Sequence, residues 1–140
     1  MGMGRGTGTT RHEVLVVDDD PVIRHALRYL LEDEGYTVHE AANGQQALDR
    51  LRTSPRRLVV LLDVHMPQVS GADVVEQVAE HIVLARHAYV IITGQYGKTM
   101  KLTFASLIMQ LDMPVVYKPF NLDKLLSAVE AADARLTARL

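Results

Sequence analysis

Apolar residues follow two rhythms along this chain. Short unbroken runs occupy 14–17, 58–62, 89–92 and 114–117. Longer stretches return an apolar residue every three or four positions. An unbroken run of four or five predicts a strand covered on both faces of a parallel sheet. A weaker run, 36–40, predicts a short strand nearer an edge. Helices fill the intervals. Asp20-Pro21 starts the first, with a capping carboxylate and a proline suited to the first turn. Ile23, Leu27, Leu30 and Leu31 form its inner face, and Gly35 stops it. Asn43-Gly44 opens the second, with Ala47, Leu48 and Leu51 inward, and Ser54-Pro55 ends it. A loop with Pro67 and Gly71 leads to a third helix carrying Val74, Val75, Val78 and Ile82. Residues 100–111 predict a fourth helix, apolar on more than one face. Asn121 caps a last one with Leu122, Leu125, Leu126, Val129 and Ala132 inward. Five such β–α units predict one doubly wound α/β domain with right-handed crossovers.

Four of the runs end in polar residues of one chemical set: Asp18-Asp19, Asp63, Thr93 and Lys118. In an open doubly wound sheet, ligands bind at the carboxyl ends of the strands, beside the point where strand order reverses. Three carboxylates crowded there repel one another, and a hard cation such as Mg²⁺ relieves the repulsion. An ionised carboxylate can accept a phosphoryl group, while an ammonium and a hydroxyl neutralise the charge on the transferred oxygens.

Composition narrows the setting. The chain has 140 residues, 48% of them hydrophobic and 23% charged. This suits one domain with a single core. A net charge of −2 gives no electrostatic case for nucleic acid or an anionic membrane as partner. The chain has no cysteine, which excludes disulfides and zinc–thiolate sites and fits a reducing cytoplasmic setting. No apolar stretch is long enough to span a bilayer. The glycine-rich start, 1–11, reads as a flexible arm without a secretory signal, which leaves 12–140 as the domain.

The motifs Val16-Val-Asp-Asp-Asp-Pro21, Leu61-Leu-Asp-Val-His-Met-Pro67 with Gly71 behind it, Ile92-Thr-Gly94 and Tyr117-Lys-Pro-Phe120 together resemble the receiver domain of bacterial response regulators. The resemblance covers roughly 12–135. It implies a flavodoxin-like (βα)5 fold with strand order 2-1-3-4-5. It also implies that Asp63 is the phosphoacceptor and that Asp18, Asp19, Asp63 and the His65 backbone carbonyl hold Mg²⁺ or Mn²⁺, Asp18 through water. Thr93 and Lys118 would contact the phosphoryl group, with a cis Lys118-Pro119 bond. The donor would be a sensor histidine kinase or a histidine phosphotransfer protein. The domain would assist only its own phosphorylation and dephosphorylation, and is not otherwise an enzyme. Output would run through the surface of the fourth-unit helix, the fifth strand and the last helix. That surface could meet an output domain, a downstream protein or a second copy. Two features depart from the family pattern. Val115 stands where many receivers carry an aromatic residue, with Tyr117 beside the lysine instead, and the stretch 93–118 is longer than usual.

Blander readings stand beside these. Asp18-Asp19-Asp20 could be only a capping turn, but capping uses one carboxylate and leaves two. His65 and Gln95 could tune phosphoryl lifetime or be ordinary loop residues. Arg50, Arg52, Arg56 and Arg57 read as a solvated helix end, and Met100, Met109 and Met113 as packing. Three other functions compete. A phosphate-binding loop at Gly94-Gln-Tyr-Gly-Lys-Thr99 is too short between its glycines. A phosphatase using Asp18-x-Asp20 needs Asp20 free of its capping role. A phosphorylation-independent docking module would not need the acidic set.

Overall fold

The computed structural model describes residues 11–94 and 101–139. Five parallel strands lie in the order β2-β1-β3-β4-β5. They are β1 (Glu13–Val17), β2 (Val38–Ala41), β3 (Leu58–Asp63), β4 (Ala88–Thr93) and β5 (Val115–Tyr117). The helices are α1 (Pro21–Asp33), α2 (Gly44–Thr53), α3 (Gly71–Glu80), α4 (Ile82–Ala85), α5 (Leu102–Gln110) and α6 (Leu122–Ala138).

The unbroken apolar runs are strands because both sheet faces are covered. Leu15, Val17, Val60, Leu62 and Ile91 enter one core with α2, α3 and α5. Val14, Val16, Val59, Leu61 and Ile92 enter the other with α1 and α6. Local chemistry sets the helix ends. The Asp20 carboxylate accepts from the Val22 N–H at 2.9 Å. Asn43 and Asn121 accept from Gln46 and Lys124 N–H groups, each at 2.8 Å. Gly35 takes a φ of 97° just past α1, a conformation that glycine adopts without penalty.

Three expected core positions are corrected. Ile82 is 87% exposed, because the third helix ends at Glu80 and His81 turns extended before the short α4. Leu84, fully buried, fills the core there instead. Met109 is 79% exposed, since α5 turns Phe104 and Ile108 to the sheet and leaves its other apolar face outside. Leu122 lies half out of the core, and α6 buries Leu125, Val129, Ala132 and Leu136. Met100, Gln95 and residues 96–99 lie outside the described residues. Arg11, assigned to the arm, has its guanidinium 4.4 Å above the Tyr36 ring and donates to the Glu34 carbonyl at 2.6 Å.

At the rim opposite the strands' carboxyl ends, His87 is 1% exposed. Its Nδ1 accepts from the Leu58 N–H, and its Nε2 lies against the Leu51 carbonyl, each at 2.9 Å. Only the neutral tautomer protonated on Nε2 satisfies both partners. The Arg86 guanidinium donates to the Ser54 carbonyl beside it. These bonds tie the α2–β3 connection to the start of β4.

Candidate functional site

Asp18 and Asp19 follow β1 directly, Asp63 closes β3, Thr93 closes β4 and Lys118 follows β5. The reversal of strand order between β1 and β3 opens the crevice where they meet. Asp18, Asp63 and Thr93 are 2%, 4% and 1% exposed, whereas Asp19 faces solvent. The three aspartates each offer a carboxylate oxygen within 4.8 Å of the others. Lys118 Nζ lies 3.4 Å from Asp18 Oδ2 and 3.7 Å from Asp63 Oδ1.

Backbone geometry fixes each group. The Asp18 N–H donates to the Ala41 carbonyl at 3.2 Å, and Asp18 Oδ1 accepts from the Asp20 N–H at 2.9 Å. Val64 donates to Ile92 and accepts from Gly71, both at 3.0 Å, which aligns the chain just past Asp63. The His65 N–H reaches Asp63 Oδ1 at 3.3 Å, and the His65 side chain faces solvent. The Lys118 N–H donates to the Thr93 carbonyl at 2.8 Å, and the Lys118-Pro119 bond is cis.

Burial pushes the Asp63 carboxyl up to about 6; Lys118 opposes the rise, and Asp18 and Asp19 add to it. Three carboxylates against one ammonium leave a surplus of negative charge. The donors are all hard oxygens, so the set fits a divalent cation such as Mg²⁺ or Mn²⁺. Asp20, the second acid of the Asp18-x-Asp20 pair, accepts from the Val22 N–H as the cap of α1.

The chain matches the family model "Response regulator receiver domain" over residues 14–130. It belongs to that family. The receiver is a regulatory domain of two-component signalling, and the match runs through the segment that competed as a phosphate-binding loop. The chain is 39% identical over 70 residues to the transcriptional regulatory protein SrrA of Staphylococcus aureus (strain NCTC 8325 / PS 47). That alignment covers 50% of this chain and 29% of SrrA, so the chain spans under a third of that relative's length. The response regulator StyR superposes with a TM-score of 0.80 at 27% identity, covering 93% of this chain and 63% of StyR. A response regulator receiver domain protein from Clostridium thermocellum gives a TM-score of 0.78 at 27% identity, over 92% and 99% of the two chains. No helix among the described residues is long and apolar enough to cross a membrane.

Two residues beside the receiver's acids escape a reading of the sequence. Arg24 donates to the Asp18 main-chain carbonyl, and Glu40 on β2 holds Arg24. Nothing local marks either, because the contact joins a helix to a strand sixteen residues away.

The buried acid and the buried imidazole give opposite pH responses. Burial lowers the His87 pKa from 6.5, so the unfolded chain takes up a proton first and stability falls as pH drops below about 6.5. The raised Asp63 pKa means that the folded state holds the extra proton. Its contribution is present in acid and is lost as pH rises through about 6. In metal-free buffer, the urea midpoint of Asp63→Asn should fall between neutral pH and about 5.5. That fall should shrink when His87→Gln is added. An unchanged slope in the double variant would contradict the assignment to His87.

Proposed function

We propose that this receiver domain is a phosphorylation-controlled switch with Asp63 as the phosphoacceptor. The observation that carries the reading is the convergence of the Lys118 ammonium on Asp63 within a cluster of three carboxylates. Asp18, Asp19, Asp63 and the His65 backbone carbonyl would hold Mg²⁺ or Mn²⁺. Bound there, the ion offsets repulsion among the acids and neutralises phosphoryl charge.

The donor is a phosphohistidine on a sensor histidine kinase or a phosphotransfer protein. An Asp63 carboxylate oxygen forms the new P–O bond while the P–N bond to the donor imidazole breaks. That electron pair returns to the ring nitrogen. Lys118 and Thr93 donate to the phosphoryl oxygens, and the exposed His65 side chain, two residues past the acceptor, tunes the lifetime of the group. The low exposure of Asp63 and Thr93 keeps bulk water from much of the acceptor. Drawing Thr93 and Lys118 toward the phosphoryl group biases the surface of α5, β5 and α6 between two states. Reversing a 99:1 population takes about 5.5 kcal/mol of differential interaction. With Val115 at the usual aromatic position, half-exposed Tyr117 is the ring next to the lysine. The surface would engage an output domain, a downstream protein or a second copy.

Incubation with acetyl phosphate or phosphoramidate and Mg²⁺ should add about 80 Da to the intact protein. The gain should disappear in Asp63→Ala and on removal of the cation. Labelling that persists in Asp63→Ala would place the acceptor elsewhere. No labelling of the wild type would favour a docking role without phosphorylation.

A further inference from the structure

Arg24 sits in the first turn of α1 with its side chain 14% exposed. Its Nε donates to Glu40 Oε1 at 2.7 Å, and its Nη1 donates to the main-chain carbonyl of Asp18 at 2.8 Å. Glu40, 18% exposed, is gripped further by Arg28 at 3.0 Å and approached by His25 at 3.3 Å. Arg28 is in turn paired with Glu32 at 3.0 Å. A guanidinium paired with a carboxylate frequently puts both arms on it. Here the rigid fork is split, with one arm on an acid of the neighbouring strand's edge and the other on the peptide joining two candidate metal ligands.

The direction of the Asp18 carbonyl sets the plane of the 18–19 peptide. That plane sets where the Asp19 side chain leaves the backbone relative to Asp18. The opposite side of Asp18 is already fixed, by its N–H to Ala41 and its carboxylate to the Asp20 N–H. Arg24 supplies the remaining constraint.

We propose that Arg24 is a positioning residue for the acid cluster, anchored by Glu40, and that it turns the Asp18-Asp19 peptide so that their carboxylates converge with Asp63. The role is separable from plain electrostatics by its sign. A cation close to three carboxylates repels a divalent ion, so deleting Arg24 as a mere charge would tighten ion binding. Deleting it as a positioning group loosens binding.

The proposal rests on the reading of the aspartates as a metal site, and the test separates the two. Mn²⁺ binding is measured by water-proton relaxation without any phosphoryl donor, on wild type, Arg24→Met, Arg24→Lys and Glu40→Gln. Thermal melts and far-UV circular dichroism run alongside. Arg24→Met should bind Mn²⁺ about 10–100-fold more weakly, the range for losing an outer-shell partner of a metal ligand. Arg24→Lys keeps the charge but cannot reach both acceptors, so it should lose most of the same affinity. Glu40→Gln should move in the same direction by less. If Arg24→Met does not fold, Arg24→Lys and Glu40→Gln decide. Wild-type or tighter binding in the folded variants overturns the positioning role. A wild type that binds no Mn²⁺ overturns the metal site itself, and the positioning role with it.

Discussion

Lys118→Ala should take up a phosphoryl group from acetyl phosphate about 10²–10³-fold more slowly than the wild type, the usual cost of deleting one donor aimed at developing charge. Two effects combine. The ammonium within 3.7 Å of Asp63 is the counter-charge that opposes the burial-driven rise of its carboxyl. Without Lys118 that pKa climbs further in the metal-free protein, and less of the nucleophilic carboxylate is present at neutral pH until the cation binds. The charge growing on the phosphoryl oxygens also loses its partner. These parts separate in a pH–rate profile. Alkaline buffer should restore the first part, because it ionises Asp63, and leave the second unrepaired. Labelling of Lys118→Ala at the wild-type rate would remove the lysine from the reaction.

Gly71→Ala should cost about 3 kcal/mol of stability, at the upper end for overpacking a filled site. For a domain of this length that lowers Tm by about 10 °C. A Cβ at position 71 would lie 2.4 Å from the Asp63 carbonyl oxygen and 2.7 Å from Val64 Cα. Both neighbours are main chain, and the oxygen belongs to the proposed acceptor residue. The backbone must shift, and the shift reaches Asp63 through the Gly71–Val64 hydrogen bond. Gly44→Ala is the control. Its Cβ would come 2.3 Å from the Val69 carbonyl, also main chain but not part of Asp63 or its neighbour Val64. Both variants should melt early. At a temperature where both are folded, only Gly71→Ala should also slow the labelling of Asp63. Equal labelling in the two would mean that the strain does not reach the acid.

The architecture was readable because burial on both faces makes parallel strands look unlike helices. Val14 through Val17 and Leu58 through Leu62 admit no polar position, so the first polar residue after each stands out as a strand end. The capping residues Asp20, Asn43 and Asn121 were legible for a different reason: each acts on its own helix within a few residues. Contacts across the fold left no such trace. Val74, Val75, Val78 and Ile82 keep helical spacing, yet the chain breaks at His81 and seats Leu84 in the core. The two-faced apolar pattern of α5 could not say which face would pack. Arg24 and Glu40 pair across elements, and His87 is buried because two distant backbone groups need it.

The imidazole clasp at the far rim constrains how the molecule can respond. One ring joins the last turn of α2 and the first residue of β3 to the residue that leads into β4. With those starting points pinned, β3 and β4 cannot slide lengthwise past each other without breaking the buried His87–Leu58 bond as well as the ladder between the two strands. The stagger between Asp63 and Thr93 is set by that ladder and reinforced from the opposite end of the sheet. A piston stroke of either strand would have to break that clasp together with the ladder between β3 and β4.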